Sequence, residues 1–489
     1  MKTSFTPAVI LSNFTVKMYV QIITLLCFCA SAFSQSSLTF TPYVQGLDAP
    51  VEIRNAGDGS GRLFVVEQSG KIRIIRNGII QPGAFLDISA ITGYDTFQGL
   101  WGVVFTQNYA RSGVFFVLYT GINGNTELVR YQASRQNADS ADPRTRAVLL
   151  SIDGSTSGGP HFGQMHFGRD GYLYLTVSDG SSPSRTTPFA QQGSNLYGKM
   201  LRINVNVKTA PYYSIPADNP FVNNPEVLDE IWALGFRNAW RWSFDAVTGN
   251  MWLPDVQGEQ EEELNVISPA SSGAGLNFGW PCYEGNLSYL NQNCAPASQY
   301  RFPDFTYLHD VPNGGQTIIG GYVYRGQKYP VLRNNYICSD MATNNAWIMR
   351  LTNGGRVVAN LQYNIPPLIQ CYGLDEAGEI YAVAGDGIIY SVGAANLGKA
   401  ITAVPGISDY VSTVTNKIYP TIANSYIILN MKAPFRYMRI TDMNGKEVMY
   451  RSLNGNGLLR IDLPRLSAGM YLIKLYGKTD LQQKIYVSQ

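Results

Sequence analysis

An excess of one charge is missing from this sequence: 37 lysines and arginines stand against 35 aspartates and glutamates. A balanced surface does not attract a polyanion, so no nucleic-acid partner is expected. Amphipathic helical segments of convincing length are also lacking, which removes the crossovers a parallel sheet needs. No ring of carboxylate and asparagine ligands is apparent, which weakens metal-dependent lactone hydrolysis as a reading. The N-terminal apolar run, residues 19–33, is too short for a comfortable membrane span. Lys17 precedes it and Ala32 and Ser34 sit at its end, so residues 1–34 read as an export signal cleaved near Ser34, with no membrane span after processing. A retained anchor is the alternative, and Met18 is an alternative start. Cysteine is sparse: of six, Cys27 and Cys29 leave with the signal, while Cys282, Cys294, Cys338 and Cys371 stay. An even number in an exported chain fits disulfides. Cys282 and Cys294 flank a Gly/Asn/Tyr loop and are expected to pair. Cys338 and Cys371 lie in strand-like runs, where burial unpaired and a second bridge are both open.

What is abundant is glycine (48) and tyrosine (31), set among short β-branched and aromatic runs, the composition of strands and tight turns. Six hairpins are expected, at residues 62–76, 114–131, 172–205, 251–267, 335–351 and 379–392. Several open with a related tag, at 58–64, 169–174, 245–252 and 375–381, in which an acid or glycine turn precedes an aliphatic and an aromatic residue. One recurring unit that cannot bury both faces alone implies radial stacking. The expected fold is all-β: a six-bladed β-propeller over residues 35–395, followed by a small Ig-like β-sandwich. A β-sandwich array is the competitor, because the hairpin spacing is uneven. The longest insertions follow the third and fourth hairpins, and loops of that length are more often binding elements than packing elements. Residues 396–406 read as a linker. Residues 407–489 form the sandwich, with strands expected at 425–431, 436–442, 447–451, 457–462, 469–476 and 482–487 and a hairpin turn at Asn444 and Gly445.

Residues 158–180 (GGPHFGQMHFGRDGYLYLTVSDG) carry the clearest chemistry. A glycine-rich approach delivers His161, a turn follows, and an apolar strand begins. Glycine beside histidine lets backbone and ligand come close, and histidine is the side chain whose resting pKa suits a base near neutrality. A structural histidine bonded within its turn is the competing reading. His166 is expected to be packed, and His309 has no motif around it. Glu259 and Glu261 to Glu263 make a charge run, and most such runs are solvated faces.

The tail resembles the C-terminal sorting domain of type IX secretion cargo, through Ile418-Tyr419-Pro420, Asp442 to Lys446, Ile461 to Leu463, Leu466 to Tyr471 and a last strand bearing Lys484. That resemblance implies the type IX machinery as partner and delivery to the medium or the cell surface. The propeller resembles the glucose/sorbosone dehydrogenase family, which includes quinoprotein sugar dehydrogenases and the propeller of Hedgehog-interacting protein. The matching pieces are residues 99–105, the His161 segment, 233–238 (ALGFRN), 245–265, 277–282 (NFGWPC), 320–326 (GGYVYRG) and 375–381. The resemblance implies pyrroloquinoline quinone (PQQ) held on calcium and a small carbohydrate substrate. It implies His161 as the base, Arg237 as the catalytic cation against the quinone, Asn238 and Gln257 as further cofactor contacts, and Gly258 with Glu259 at the calcium. Residues 161–170 are one shorter than in typical members. Pro160 replaces an acid that grips substrate, residues 339–345 lack a lysine, and residues 368–373 lack an arginine pair. Arg325 and Lys328 are the cations considered as replacements. In these places the chain is similar to the Hedgehog-interacting branch, whose propeller is a binding module, so a non-enzymatic surface propeller binding glycan or protein is the alternative function.

Overall fold

The computed structural model describes residues 37–95, 97–154, 162–180, 189–269, 274–290, 293–309, 314–363 and 365–395. In the tail it describes 417–419, 422–423, 426–431, 435–443, 445–453, 457–464, 466–467, 469–477 and 481–487. The expected signal, the linker and His161 lie outside the described residues. Among the described residues no helix is long and apolar enough to cross a membrane.

All six expected hairpins are present, and each forms the two middle strands of a blade. They are Leu63–Glu67 with Lys71–Arg76, Val114–Thr120 with Thr126–Ala133, and Leu173–Val177 with Lys199–Ile203. The other three are Met251–Asp255 with Glu261–Ile267, Tyr336–Asp340 with Ala346–Leu351, and Ile380–Ala384 with Ile389–Ala395. Inside each hairpin lies a strand that the sequence pattern did not reveal: Pro50–Asn55, Leu100–Phe105, Phe162–Phe167, Ser243–Phe244, Ile318–Val323 and Ile369–Leu374. Each of these touches the next, and the last touches the first, so the ring of six blades is closed. The N-terminal strand Ser37–Val44 pairs antiparallel with Ile389–Ala395, from Ser37↔Ala395 to Val44↔Ile389. The chain's start thus supplies the outermost strand of its last blade, which leaves that edge short and covered.

The recurring tags are the turns between the first and second strands. Asp58, Asp170, Asp245 and Asp375 each accept a backbone N–H two residues on, to Ser60, Tyr172, Val247 and Ala377, so the acid closes its own turn. Blades meet through apolar faces, as where Phe64, Phe85, Phe105 and Phe115 interlock between blades 1 and 2. Near the axis the approach is closer still. A Cβ on Gly320 would lie 2.1 Å from the Arg241 carbonyl oxygen, and one on Gly373 would lie 2.1 Å from that of Ile53. Only glycine allows this contact.

The axis itself is filled. Glu52, fully buried, accepts from Arg54 Nε at 2.9 Å, from Gln164 Nε2 at 2.7 Å and from Val103 N at 2.7 Å. Arg241, also buried, donates to the carbonyls of Trp101 and Val51 and lies 4.2 Å over the Trp240 ring. His166 is buried here, as expected, against Trp242 O at 2.8 Å. Burial and then Arg54 hold its pKa well below the usual value.

The tail forms a three-stranded sheet and a five-stranded sheet around Leu429, Met438, Ile440, Ile461, Ile473 and Leu475. Its strands Tyr426–Met431, Phe435–Asp442, Glu447–Ser452, Gly457–Asp462, Gly469–Gly477 and Leu481–Val487 lie where the alternation places them, and Lys417–Tyr419 and Ile422–Ala423 add two short ones.

Candidate active site

In each blade the first strand starts on what is here termed the front face, so the loops between blades and the loops joining second to third strands are both at the front. Arg237 and Asn238 follow Ile231–Leu234, the outermost strand of blade 3, and Gln257 to Gln260 join the second and third strands of blade 4. The fold therefore brings them to one face. The strand Phe162–Phe167, directly after His161, starts on the same face.

What holds these residues together is a carboxylate that the motif reading did not single out. Asp255, fully buried, accepts Arg237 N at 2.8 Å, Asn238 N at 2.6 Å and Gln257 Nε2 at 3.2 Å. Arg237 Nη1 donates to Val256 O at 2.9 Å, and its guanidinium lies 5.6 Å from the Trp280 ring centroid. Trp280 Nε1 donates to Asp179, whose own N–H bonds the Arg237 carbonyl at 2.9 Å. Burial pushes the Asp255 carboxyl well up, against the pull of the Arg237 and Asn238 N–H groups and of the Arg237 charge. Its cross-strand partner Glu263 is raised likewise by burial and by Asp255. Behind Arg237, the buried Nζ of Lys199 donates to the carbonyls of Phe189, Ala190 and Tyr197. Burial pulls its pKa down to about 7. Lys199 thus pins one end of the long front loop of blade 3 to that blade.

The loop after Asp255 is shaped by Glu284, also fully buried. Its carboxylate accepts the N–H groups of Gly258 (2.9 Å), Glu259 (3.1 Å) and Gln260 (2.7 Å). In a planar trans peptide the preceding carbonyl points opposite to the N–H. The carbonyls of Gln257, Gly258 and Glu259 are therefore turned away from Glu284. Gly258 is required here, because a Cβ would lie 2.3 Å from Glu284 Oε1. The side chain of Glu259 is exposed. Glu284 sits on a small hairpin, Tyr283–Glu284 with Leu287–Ser288, beside a Cys282–Cys294 disulfide with Cα atoms 5.8 Å apart. Cys338 and Cys371 are free and buried.

The charge run and the replacement cations differ from expectation. Glu262 and Glu263 are buried, so the charge run is not a solvated face. Glu262 bonds His309 at 2.7 Å and Ile318 N, and Glu263 takes Asn265 Nδ2. Arg325 and Lys328 lie on the back face and cannot serve the site: Arg325 pairs with Asp245, and Lys328 lies against the Tyr329 ring. Of the two long insertions, the one at 204–230 leaves blade 3 on the back face. The one at 268–304 leaves blade 4 there too, but climbs beside Leu234 through a parallel bridge to Asn277 and delivers Trp280 and Glu284 to the front.

Asn238 Oδ1 and Gln257 Oε1 are buried and have no hydrogen-bond partner among the described residues. Buried polar atoms normally have partners, so these two oxygens are open acceptors. The carbonyls of Gln257 and Gly258 also receive no hydrogen bond from the described residues. Oxygen donors of this kind suit a hard cation such as calcium. The residues present fit a polar, anionic cofactor on calcium, with Arg237 as the cation beside it.

Closed ring, filled axis and front-face candidate site define a six-bladed β-propeller. Residues 47–369 match the glucose/sorbosone dehydrogenase family, and the chain belongs to it. Residues 417–488 match the secretion system C-terminal sorting domain, which directs export by type IX secretion to the cell surface or beyond. The HIPL2 protein of Arabidopsis thaliana is 32% identical over 59% of this chain and 50% of its own length. Human Hedgehog-interacting protein is 28% identical over 61% of this chain and 42% of its own. The chain thus spans about half the length of these curated relatives. The PQQ-bound aldose sugar dehydrogenase of Streptomyces coelicolor shares the fold, with a TM-score of 0.56 at 16% identity over 74% of this chain and 99% of that one.

Proposed function

We propose that this protein is an exported sugar dehydrogenase that holds PQQ on calcium at the front face and oxidises an aldose or similar small carbohydrate. The observation that carries the reading is the gathering of Arg237, Asn238 and Gln257 on Asp255, with two buried amide oxygens left without partners. The fold-sharing Streptomyces protein has been seen with PQQ bound. When bound, the quinone supplies a hydride acceptor.

The protein's own residues do the rest. Oxidising a lactol takes a proton from oxygen as hydride leaves carbon, so a neutral base must face the hydroxyl. His161 is that base. Arg237, fixed by Val256 O and by the Trp280 ring, places positive charge where negative charge develops. Asn238 and Gln257 orient the ring system. The backbone carbonyls of Gln257, Gly258 and Glu259 face the calcium. The reading is tested by dye reduction with a panel of sugars in the presence of PQQ and calcium: turnover is expected for at least one aldose, lost in His161→Ala and in Arg237→Ala. Quinone binding without turnover on any sugar contradicts it.

One observation favours a second reading, a surface propeller that binds glycan or protein without catalysis. Arg325 and Lys328 are on the wrong face, and Arg54 and Arg241 are spent on Glu52, His166 and backbone carbonyls. Among the described residues, Arg237 is the cation left to face a tricarboxylate.

A further inference from the structure

On the back face, blades 2 and 3 enclose a cavity of about 580 Å³, within the range that holds small organic ligands. Its floor is apolar, with Phe116 and Phe167 in edge contact at 6.1 Å. Its walls are polar and include Gln132 from blade 2 and Asn206 from blade 3. Two cations line it, Arg130 and Lys208, and no aspartate or glutamate does.

Arg130 is the informative residue. Nη1 donates to Val207 O at 2.9 Å, and the guanidinium lies 4.9 Å from the Tyr212 ring centroid. These two contacts fix its plane and use one of five N–H donors. Among the described residues it has no carboxylate partner. Three other back-face arginines are paired with acids: Arg62 with Asp58 and Asp139, Arg202 with Asp170 and Asp218, Arg325 with Asp245. Arg169 and Arg333, like Arg130, bond backbone carbonyls, but neither lines this cavity. A pre-oriented guanidinium with free donors, in a cavity without acids, is complementary to a carboxylate in bidentate geometry. The exposed Lys208 adds a second positive charge. The amides of Gln132 and Asn206 can both donate to and accept from hydroxyls, and the phenyl floor suits the C–H face of a sugar ring.

We propose that this cavity binds an acidic saccharide, with the carboxylate of a uronic acid on Arg130, its hydroxyls on the wall amides and its ring against Phe167. The site lies on the opposite face from Arg237 and does not depend on the reading of the front face. It would tether the exported protein to uronate-bearing polysaccharide while leaving the front face open.

The test is calorimetric titration of the full chain with trigalacturonate and, separately, with neutral maltotriose. Saturable binding of trigalacturonate that maltotriose does not show is expected, weaker by about tenfold or more in Arg130→Gln. Lys208→Gln, an exposed change that leaves the fold intact, is expected to weaken it by about threefold and to flatten its salt dependence. Arg237→Ala, on the other face, should leave it unchanged. No saturable binding at millimolar trigalacturonate overturns the proposal. So does equal binding of maltotriose, or binding that both cavity variants leave intact, or binding that Arg237→Ala removes.

Discussion

The front face has two sides built in different ways. On the blade 3–4 side, Asp255 and Glu284 bind backbone N–H groups, which turns the carbonyls of Gln257 to Glu259 away from Glu284 and leaves the buried amide oxygens of Asn238 and Gln257 without partners among the described residues. On the blade 5 side, Asp340 is just as buried but is spent on its own surroundings. It accepts Gln316 N, Thr317 N and Tyr307 Oη on one oxygen, and Ala342 N, Thr343 N and Thr343 Oγ1 on the other. A buried carboxylate can thus close a loop on itself or present it to a ligand. The difference lies in which way the spare acceptors point. A propeller that lacks the expected lysine and arginine pair thus still has the blade 3–4 half of its front face held in order by Asp255 and Glu284.

The sharpest way to break that comparison is to remove each acid. Asp255→Ala and Asp340→Ala each strand several buried N–H groups and are expected to cost about 3–5 kcal/mol in denaturant unfolding. Only the first should also abolish quinone binding; equal losses in both would erase the distinction. Next is the Cys282→Ser/Cys294→Ser pair. By loop-closure entropy it costs about 2–3 kcal/mol, and because the bridge steadies the hairpin bearing Glu284, calcium affinity should fall with it while propeller circular dichroism persists. Glu284→Gln puts an amide donor against the N–H groups of Gly258 to Gln260. It should weaken calcium binding about tenfold by titration, for about 1–3 kcal/mol of stability.

The smallest effect is one of pH. Burial pulls His309 down, but the bond to Glu262 outweighs it, and the folded pKa ends above the ordinary value. Its contribution is therefore complete below about pH 6.5, the unfolded value, and is lost as pH rises through the folded value. Thermal unfolding should show stability falling across that window, a fall absent in His309→Gln.

The hairpins were legible because their strands are short β-branched and aromatic runs bounded by aspartate and glycine turns, as at Asp170-Gly171 before Leu173–Val177. The innermost strands were not: Ile318–Val323 contains two glycines that close packing demands, and Ser243–Phe244 is only two residues long. Arg237, Asn238, Gln257 and Gly258 could be found through motif resemblance. Asp255 was inside a quoted motif but carried no sign of its role, because its partners are backbone N–H groups 17 and 18 residues away. Glu284 was less visible still, since its link to Gly258 spans 26 residues and runs through an insertion with no repeat pattern. The buried pair Glu262 and Glu263 misled for the same reason: a run of acids looks solvated until its partners are seen.

The most direct measurement is calorimetric titration of PQQ into the protein freed of its sorting tail, with and without calcium. The account predicts tight binding that requires calcium and is removed by Arg237→Ala and by Asp255→Ala. No heat of binding at high micromolar quinone with calcium present would contradict it and leave the front face as a surface for glycan or protein.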